Sequence, residues 1–331
     1  MKNRILIIFS VTLFFQISGC TTIRDSSADN KAYGVNSLKW HPGHYALFWG
    51  SPSDEQLEEY VFSSPYIKGA QIVYSWDLLE PEKDVYDFSV IENDLIRLQA
   101  GGKYLWAQIQ RQGMGNPPDY LQEYVDKRTK VYAILEMPVM ESYTKLFHEL
   151  GKRFDQEPGF TAINSTETLG ERLRPDGEEE YVRAWTYFHE RCRQYFPNTV
   201  VINYVTWGPG KEKVRRDLVN YGVGVGSPDT VPPEEIAPFD PGPPPSGKNP
   251  DHNISPIYTE WDYLRGKVPV TLAVQAPSLM IWHRLFGTFT LDQIYEKGVN
   301  RLGANYMSWA TVRFSNSDNI RHDFVEILLR I

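Results

Sequence analysis

Gly69 to Ile109 reads GAQIVYSWDLLEPEKDVYDFSVIENDLIRLQAGGKYLWAQI, and this stretch decides the architecture. GAQIVY (69–74) is a short apolar run of the kind that forms a buried strand. VIENDLIRLQ carries apolar residues at helical spacing and stops at the Gly101–Gly102 pair. KYLWAQI (103–109) is a second buried strand. The connection WDLLEPEKDVYDFS (76–89) therefore sits at the C-terminal end of a strand, ahead of a helix.

Outward from this unit the same alternation continues. Strands are expected at HYALFW (44–49), GAQIVY (69–74), KYLWAQI (103–109), FTAIN (160–164), TVVINYV (199–205), YGVGVG (221–226), VPVTLAV (268–274) and LGANYMSW (302–309). Helical patterns such as SDEQLEEYV, SYTKLFHELGKRF, EEYVRAWTYFHERCRQY and LDQIYEKGV lie between them, with DFVEILLRI as a closing helix. Ser53 and Ser89 are expected N-caps. Eight strands with helices between them fit a single (β/α)8 TIM barrel over residues 39–331. An open, doubly wound sheet is the alternative, but no glycine-rich phosphate loop follows the first strand. The Pro/Gly-rich segment from Pro228 to Pro256 reads as a loop insertion after strand 6, passing over the barrel mouth.

The pattern Trp76, Glu80–Pro81 and Tyr86–Asp87–Phe88 resembles the strand 2 to strand 3 region of TIM-barrel glycoside hydrolases of the β-galactosidase and cellulase-like type, with Val85 in place of the usual glycine. The likeness implies that Glu80 and Asp87 are structural, and that Trp76 either stacks on a sugar or seals the barrel top. It also implies a proton donor after strand 4 and a nucleophile after strand 7, because glycoside cleavage uses two carboxyl groups. Glu167 stands where the donor is expected, with Thr166 replacing the customary Asn and Glu171 as its rival. Gln275 stands where the nucleophile is expected, and an amide cannot ionise. No Asp or Glu occurs between Lys267 and Leu291, so a slip in strand register cannot supply one. Three explanations stay open. The partner is Asp229 after strand 6; or it is Glu260 or Asp262 in YTEWDY; or hydrolysis has been lost and sugar binding kept.

Other strand ends offer groups suited to neutral sugars. These are Gln108, Gln110 and Arg111 after strand 3, Asn203, Tyr204 and Trp207 after strand 5, and Asn305, Tyr306 and Trp309 along strand 8. Packing in the barrel core is the competing role for Asn305 and Tyr306. The substrate-binding set is expected to be Trp76, Gln108, Asn203, Trp207, Gln275 and Trp309. Aromatics make up 14% of the chain, with nine Trp and twenty Tyr, a composition that favours carbohydrate stacking. The formal charge of −8 argues against a nucleic acid as partner. His41 and His44 have no third ligand at diagnostic spacing, so neither a metal nor any other cofactor is expected. No G-x-S-x-G motif is present.

The first residues carry Lys2 and Arg4, then the apolar run ILIIFSVTLFF, then ISGC ending at Cys20. The run is shorter than the roughly 20 residues a membrane span needs. It resembles a bacterial lipoprotein signal, which implies removal of residues 1–19, acylation of Cys20 and a flexible tail over 20–38. Thr21, in place of Asp, points to the outer membrane. Cys192 then has no disulfide partner and is expected within a helix. The expectation as a whole is a lipid-anchored glycoside hydrolase acting on an oligo- or polysaccharide at the cell envelope, with Glu167 as donor and Asp229 or Glu260 as partner. A glycan-binding lipoprotein on the same barrel is the alternative.

Overall fold

The structure, a computed structural model, describes residues 38–110, 117–124, 136–166, 177–206, 208, 210–230, 258, 260–275 and 290–311. Eight parallel strands close on one another in chain order. They are β1 (Gly43–Trp49), β2 (Ile67–Ser75), β3 (Tyr104–Gln110), β4 (Phe160–Asn164), β5 (Val200–Asn203), β6 (Gly224–Ser227), β7 (Val270–Val274) and β8 (Tyr306–Ala310). β8 returns to β1 in register Gly43↔Tyr306, which completes the (β/α)8 barrel the sequence predicts. The expected sixth strand begins too early, because Tyr221 closes a helix and Gly222, at φ 63°, is its left-handed C-cap. The eighth also starts later than expected, at Tyr306.

The helical layer comprises α1 (Asp54–Leu57), α2 (Trp76–Leu79), α3 (Ser89–Ala100), α4 (Met137–Phe154), α5 (Glu178–Tyr195), α6 (Lys211–Tyr221), α7 (Trp261–Leu264) and α8 (Leu291–Glu296). α1 and α8 each run on into a wider π turn, over Glu58–Phe62 and Lys297–Arg301. Ser53 caps α1 reciprocally with Gln56, as its sequence predicts. Ser89 does not cap α3. It is that helix's first residue, and its N–H donates to Asp87 Oδ1 at 2.9 Å. The expected Pro228–Pro256 insertion lies largely outside the described residues, as does the closing helix.

Side chains alternate between two packed layers, as period-2 strands require. Met307 and Trp309 of β8, with Val270, Leu272 and Val274 of β7, join the large cluster between sheet and helices. Tyr45, Trp106, Ala162, Val200, Ile202, Tyr204 and Tyr306 form a separate cluster inside the barrel. Gly69 has an ideal Cβ position only 1.8 Å from Tyr104 O, so only glycine lets β2 lie this close to β3.

The N-terminal ends of the strands are closed by the segment ahead of β1. Lys39 N–H donates to Asn198 O at 2.7 Å, and its ammonium reaches Glu157 O at 2.8 Å. Trp40 meets Tyr306 edge-on with centroids 5.4 Å apart, and His41 stacks on Tyr104 at 3.8 Å. Burial lowers the Lys39 pKa to about 8, against the pull of Asp155 and Glu157.

Candidate active site at the barrel mouth

The loop that decides the fold is framework. Trp76 opens α2 completely buried, with its ring centroid 5.0 Å from that of Tyr143. Its indole N–H donates to Glu80 Oε2 at 2.7 Å. The other Glu80 oxygen accepts from Asp84 N–H at 3.1 Å and the Tyr120 hydroxyl at 2.9 Å. Burial raises the Glu80 pKa, and the bonds from Trp76, Asp84 and Tyr120 pull it back. Phe88 packs on Phe154 of α4, while Asp87, whose pKa is lowered by its bonds from Ser89, serves the start of α3. Trp76 as a sugar platform is therefore corrected: its ring has no exposed face to offer.

Strand parity redistributes the remaining candidates. Gln108 points into the barrel, and its Oε1 accepts from Gln71 Nε2 at 2.7 Å. The same Gln71 nitrogen donates to the Tyr204 hydroxyl at 3.1 Å. This three-residue bridge joins β2 and β3 to the residue that follows β5, buried beneath the mouth. Two residues further up β3, Gln110 is half-buried and its Oε1 accepts from the Thr166 hydroxyl at 2.9 Å. Gln275 is half-buried one residue past β7, and alternation with Thr271 and Ala273 puts it on the inward face. Trp49 ends β1 half-buried against Leu47, Val73 and Ala273.

Asn203 and Trp309 face the other way. Asn203 is fully buried, its carbonyl oxygen accepting from Ser165 Oγ at 2.7 Å and its amide nitrogen meeting His189 Nε2 of α5. Trp309 lies between β8 and the helices, donating to His44 Nδ1 at 3.0 Å. Both are corrected as substrate contacts: Tyr204 takes the inward position next to Asn203, and Trp309 is an odd three residues from the inward Tyr306, on the opposite face of β8. Asn305 accepts from Val270 N–H at 2.9 Å and so ties β7 to the start of β8, away from the mouth.

The carboxylates separate as well. Glu260 is bound by Arg216 of α6 through two nitrogens, one at 3.1 Å, on the outer helical ring. Its assignment as catalytic partner is corrected: α7 packs on α6 and leaves the carboxylate engaged outside the barrel. Asp262 is likewise outside, 2.9 Å from Arg301. Asp229 follows β6 half-buried, its carbonyl accepting from Ser227 Oγ at 2.8 Å and the Tyr258 hydroxyl at 3.0 Å. The next residue, Thr230, donates to Ala273 O of β7 at 2.9 Å, so this loop leaves the barrel against the strand that carries Gln275. Glu167, Glu171, Arg111, Trp207 and Cys20 lie outside the described residues.

Sequence reading overlooked Gln71 and Trp49. Gln71 was signalled by a lone amide in an apolar strand, and Trp49 by its place at a strand's end. Several further buried groups, Gln71 Oε1, Asn164 Oδ1, Thr271 Oγ1 and Ser308 Oγ, have no protein partner among the described residues. The barrel interior is thus polar on several strands, and near the mouth the described inward amides and hydroxyls stand beside an apolar patch of Leu47, Val73, Ala273 and Trp49.

No protein-family model matches the sequence, and no curated protein matches it. Solved structures do match its fold. Endo-glycoceramidase II from Rhodococcus sp., in complex with a cellobiose-like isofagomine, aligns over 87% of this chain and 78% of its own, at 14% identity and TM-score 0.54. The same enzyme in complex with ganglioside GM3 aligns at 13% identity and TM-score 0.53. A structure described as a glycoside hydrolase aligns over 88% of this chain and 99% of its own, at 12% identity and TM-score 0.52. The likeness is one of fold, a closed (β/α)8 barrel.

Proposed function

We propose that this protein hydrolyses O-glycosidic bonds in an oligo- or polysaccharide at a bacterial cell envelope, held there by a lipid on Cys20. The observation that carries the reading is the inward lining of the mouth. Gln110 and Gln275 present neutral hydrogen-bonding groups, backed by the buried Gln108 and Thr166, and Trp49 presents a half-buried aromatic surface. Neutral polyols need this combination of directional hydrogen bonds and an apolar face. Fold likeness to glycoside hydrolases supports the same chemistry.

Glu167 is proposed as the proton donor, following Thr166 directly in the chain. Asp229 is proposed as its partner, since its loop is pinned to β7 through Thr230 and it replaces the acid that Gln275 cannot be. Trp207 is retained as a proposed sugar contact. Gln275 also favours a second reading, a glycan-binding protein without turnover, because its amide can hydrogen-bond a sugar but cannot attack one.

The test is a panel of cello-oligosaccharides, β-galactosides, xylans and a ganglioside incubated with wild type, Glu167→Gln and Asp229→Asn. Hydrolysis by wild type and a loss of at least 100-fold in both variants is expected. Equal turnover in wild type and Glu167→Gln removes Glu167 from the mechanism. Saturable binding with no products after long incubation establishes the second reading.

A further inference from the structure

The end of β4 is held by far more than its strand ladder. The last described residues there, Ser165 and Thr166, are both completely buried. The Thr166 N–H donates to the Tyr143 hydroxyl of α4 at 2.9 Å, and that hydroxyl donates on to Ile109 O of β3 at 2.7 Å. The Thr166 hydroxyl donates to Gln110 at 2.9 Å. Ser165 Oγ donates to Asn203 of β5 at 2.7 Å, and Asn203 in turn meets His189 of α5. Side chains from one helix and two strands thus bond two consecutive residues, and a second helix backs Asn203 through His189.

Packing does not require this. Tyr143 already stacks with Phe188 at 5.4 Å and sits 5.0 Å from Phe147, where a phenylalanine would fill the same space. Among the described residues His189 Nδ1 is buried without a hydrogen-bond partner, a cost that an apolar residue would avoid. Buried polar networks of this kind fix one arrangement of the groups they join. What they join here is the point from which the chain runs on to residue 167.

We propose that Tyr143, Asn203 and His189 are positioning residues that hold the end of β4 in the single orientation the next residue's chemistry needs. This rests on the hydrolase reading above. A proton donor displaced by about 1 Å loses on the order of 100-fold in rate, so a framework that resists such displacement acts on turnover more than on binding.

Tyr143→Phe removes the hydroxyl and keeps the ring. Thr144→Val is the control: it deletes a buried hydroxyl one residue along α4 that, among the described residues, bonds its own helix at Met140 O. Hydrogen–deuterium exchange, thermal unfolding and steady-state kinetics on whichever panel glycan is turned over are measured for wild type and both variants. In Tyr143→Phe, exchange at Thr166 should accelerate at least tenfold. Its kcat should fall at least tenfold with KM within twofold, while the protein stays folded at the assay temperature. Thr144→Val should leave kcat within twofold of wild type.

A Tyr143→Phe enzyme with wild-type kcat overturns the proposal, even if its stability falls. Equal kcat losses in the two variants overturn it too, by showing a general effect of loosening α4. If Tyr143→Phe keeps full turnover while Glu167→Gln loses it, the hydrolase reading stands and the positioning role falls. No hydrolysis of any glycan by wild type refutes both.

Discussion

His44 offers the sharpest measurable consequence of this barrel's packing. Its ring is buried between β1 and the helical layer, accepts the Trp309 indole N–H through Nδ1, and lies 5.6 Å from the Tyr295 ring. Burial alone lowers its pKa from 6.5 to about 4. In the unfolded chain the ring takes a proton as pH falls through the ordinary histidine range, while the native ring stays neutral. The unfolded state then binds more protons, so stability is lost as pH falls from about 6.5 towards about 4. At pH 5 the loss from this one residue is about 2 kcal/mol, and it approaches about 3 kcal/mol near the native pKa. His44→Gln keeps an oxygen acceptor near Trp309 and cannot titrate. The assay is urea unfolding followed by tryptophan fluorescence at pH 7 and pH 5. With an m-value of about 3 kcal/mol/M, the acid-induced fall in midpoint should be roughly 0.7 M smaller in the variant. Burial raises the pKa values of Glu80 and Asp94, which stabilises both proteins on acidification and cancels in the comparison. Equal midpoint shifts in wild type and His44→Gln would refute the reasoning, because the native ring would then be titrating normally.

Three other outcomes are expected. Gly69→Ala sets a methyl group 1.8 Å from the Tyr104 carbonyl oxygen, so thermal unfolding should show a loss of about 3 kcal/mol or more, or the protein should fail to accumulate in soluble form. Glu80→Ala leaves the Trp76 indole N–H buried without its acceptor and strips one bond from Tyr120; chemical denaturation should register roughly 2–4 kcal/mol. Glu260→Gln disturbs only an outer ion pair with a largely exposed Arg216, so glycan turnover should be unchanged and stability should move by less than about 1 kcal/mol.

The eight strands were readable because each is a short apolar run set between helical patterns, and the closed order follows from their number. Which way their side chains point was not. Strands of a parallel barrel are covered on both faces, so apolar residues occupy both and alternation cannot be read from the sequence. That is why Asn203 and Trp309, both at strand ends, pass for mouth residues when they face the helices. Gln71 escapes notice for the complementary reason, an inward amide inside a run that looks like pure core. Glu260 fails differently. Its partner, Arg216, lies 44 residues earlier on another helix, a pairing that only the folded chain reveals. The framework role of Glu80 was more legible, since Trp76 lies one helical turn before it and Tyr120 only 40 residues on.

The closure ahead of β1 also fixes a direction in space. Lys39, Trp40 and His41 are fastened across the N-terminal ends of the strands, so the chain enters the barrel from the side opposite the mouth. Residues 38–41 therefore act as a floor: they take no part in the mouth, and changes to them should reach stability before they reach any ligand.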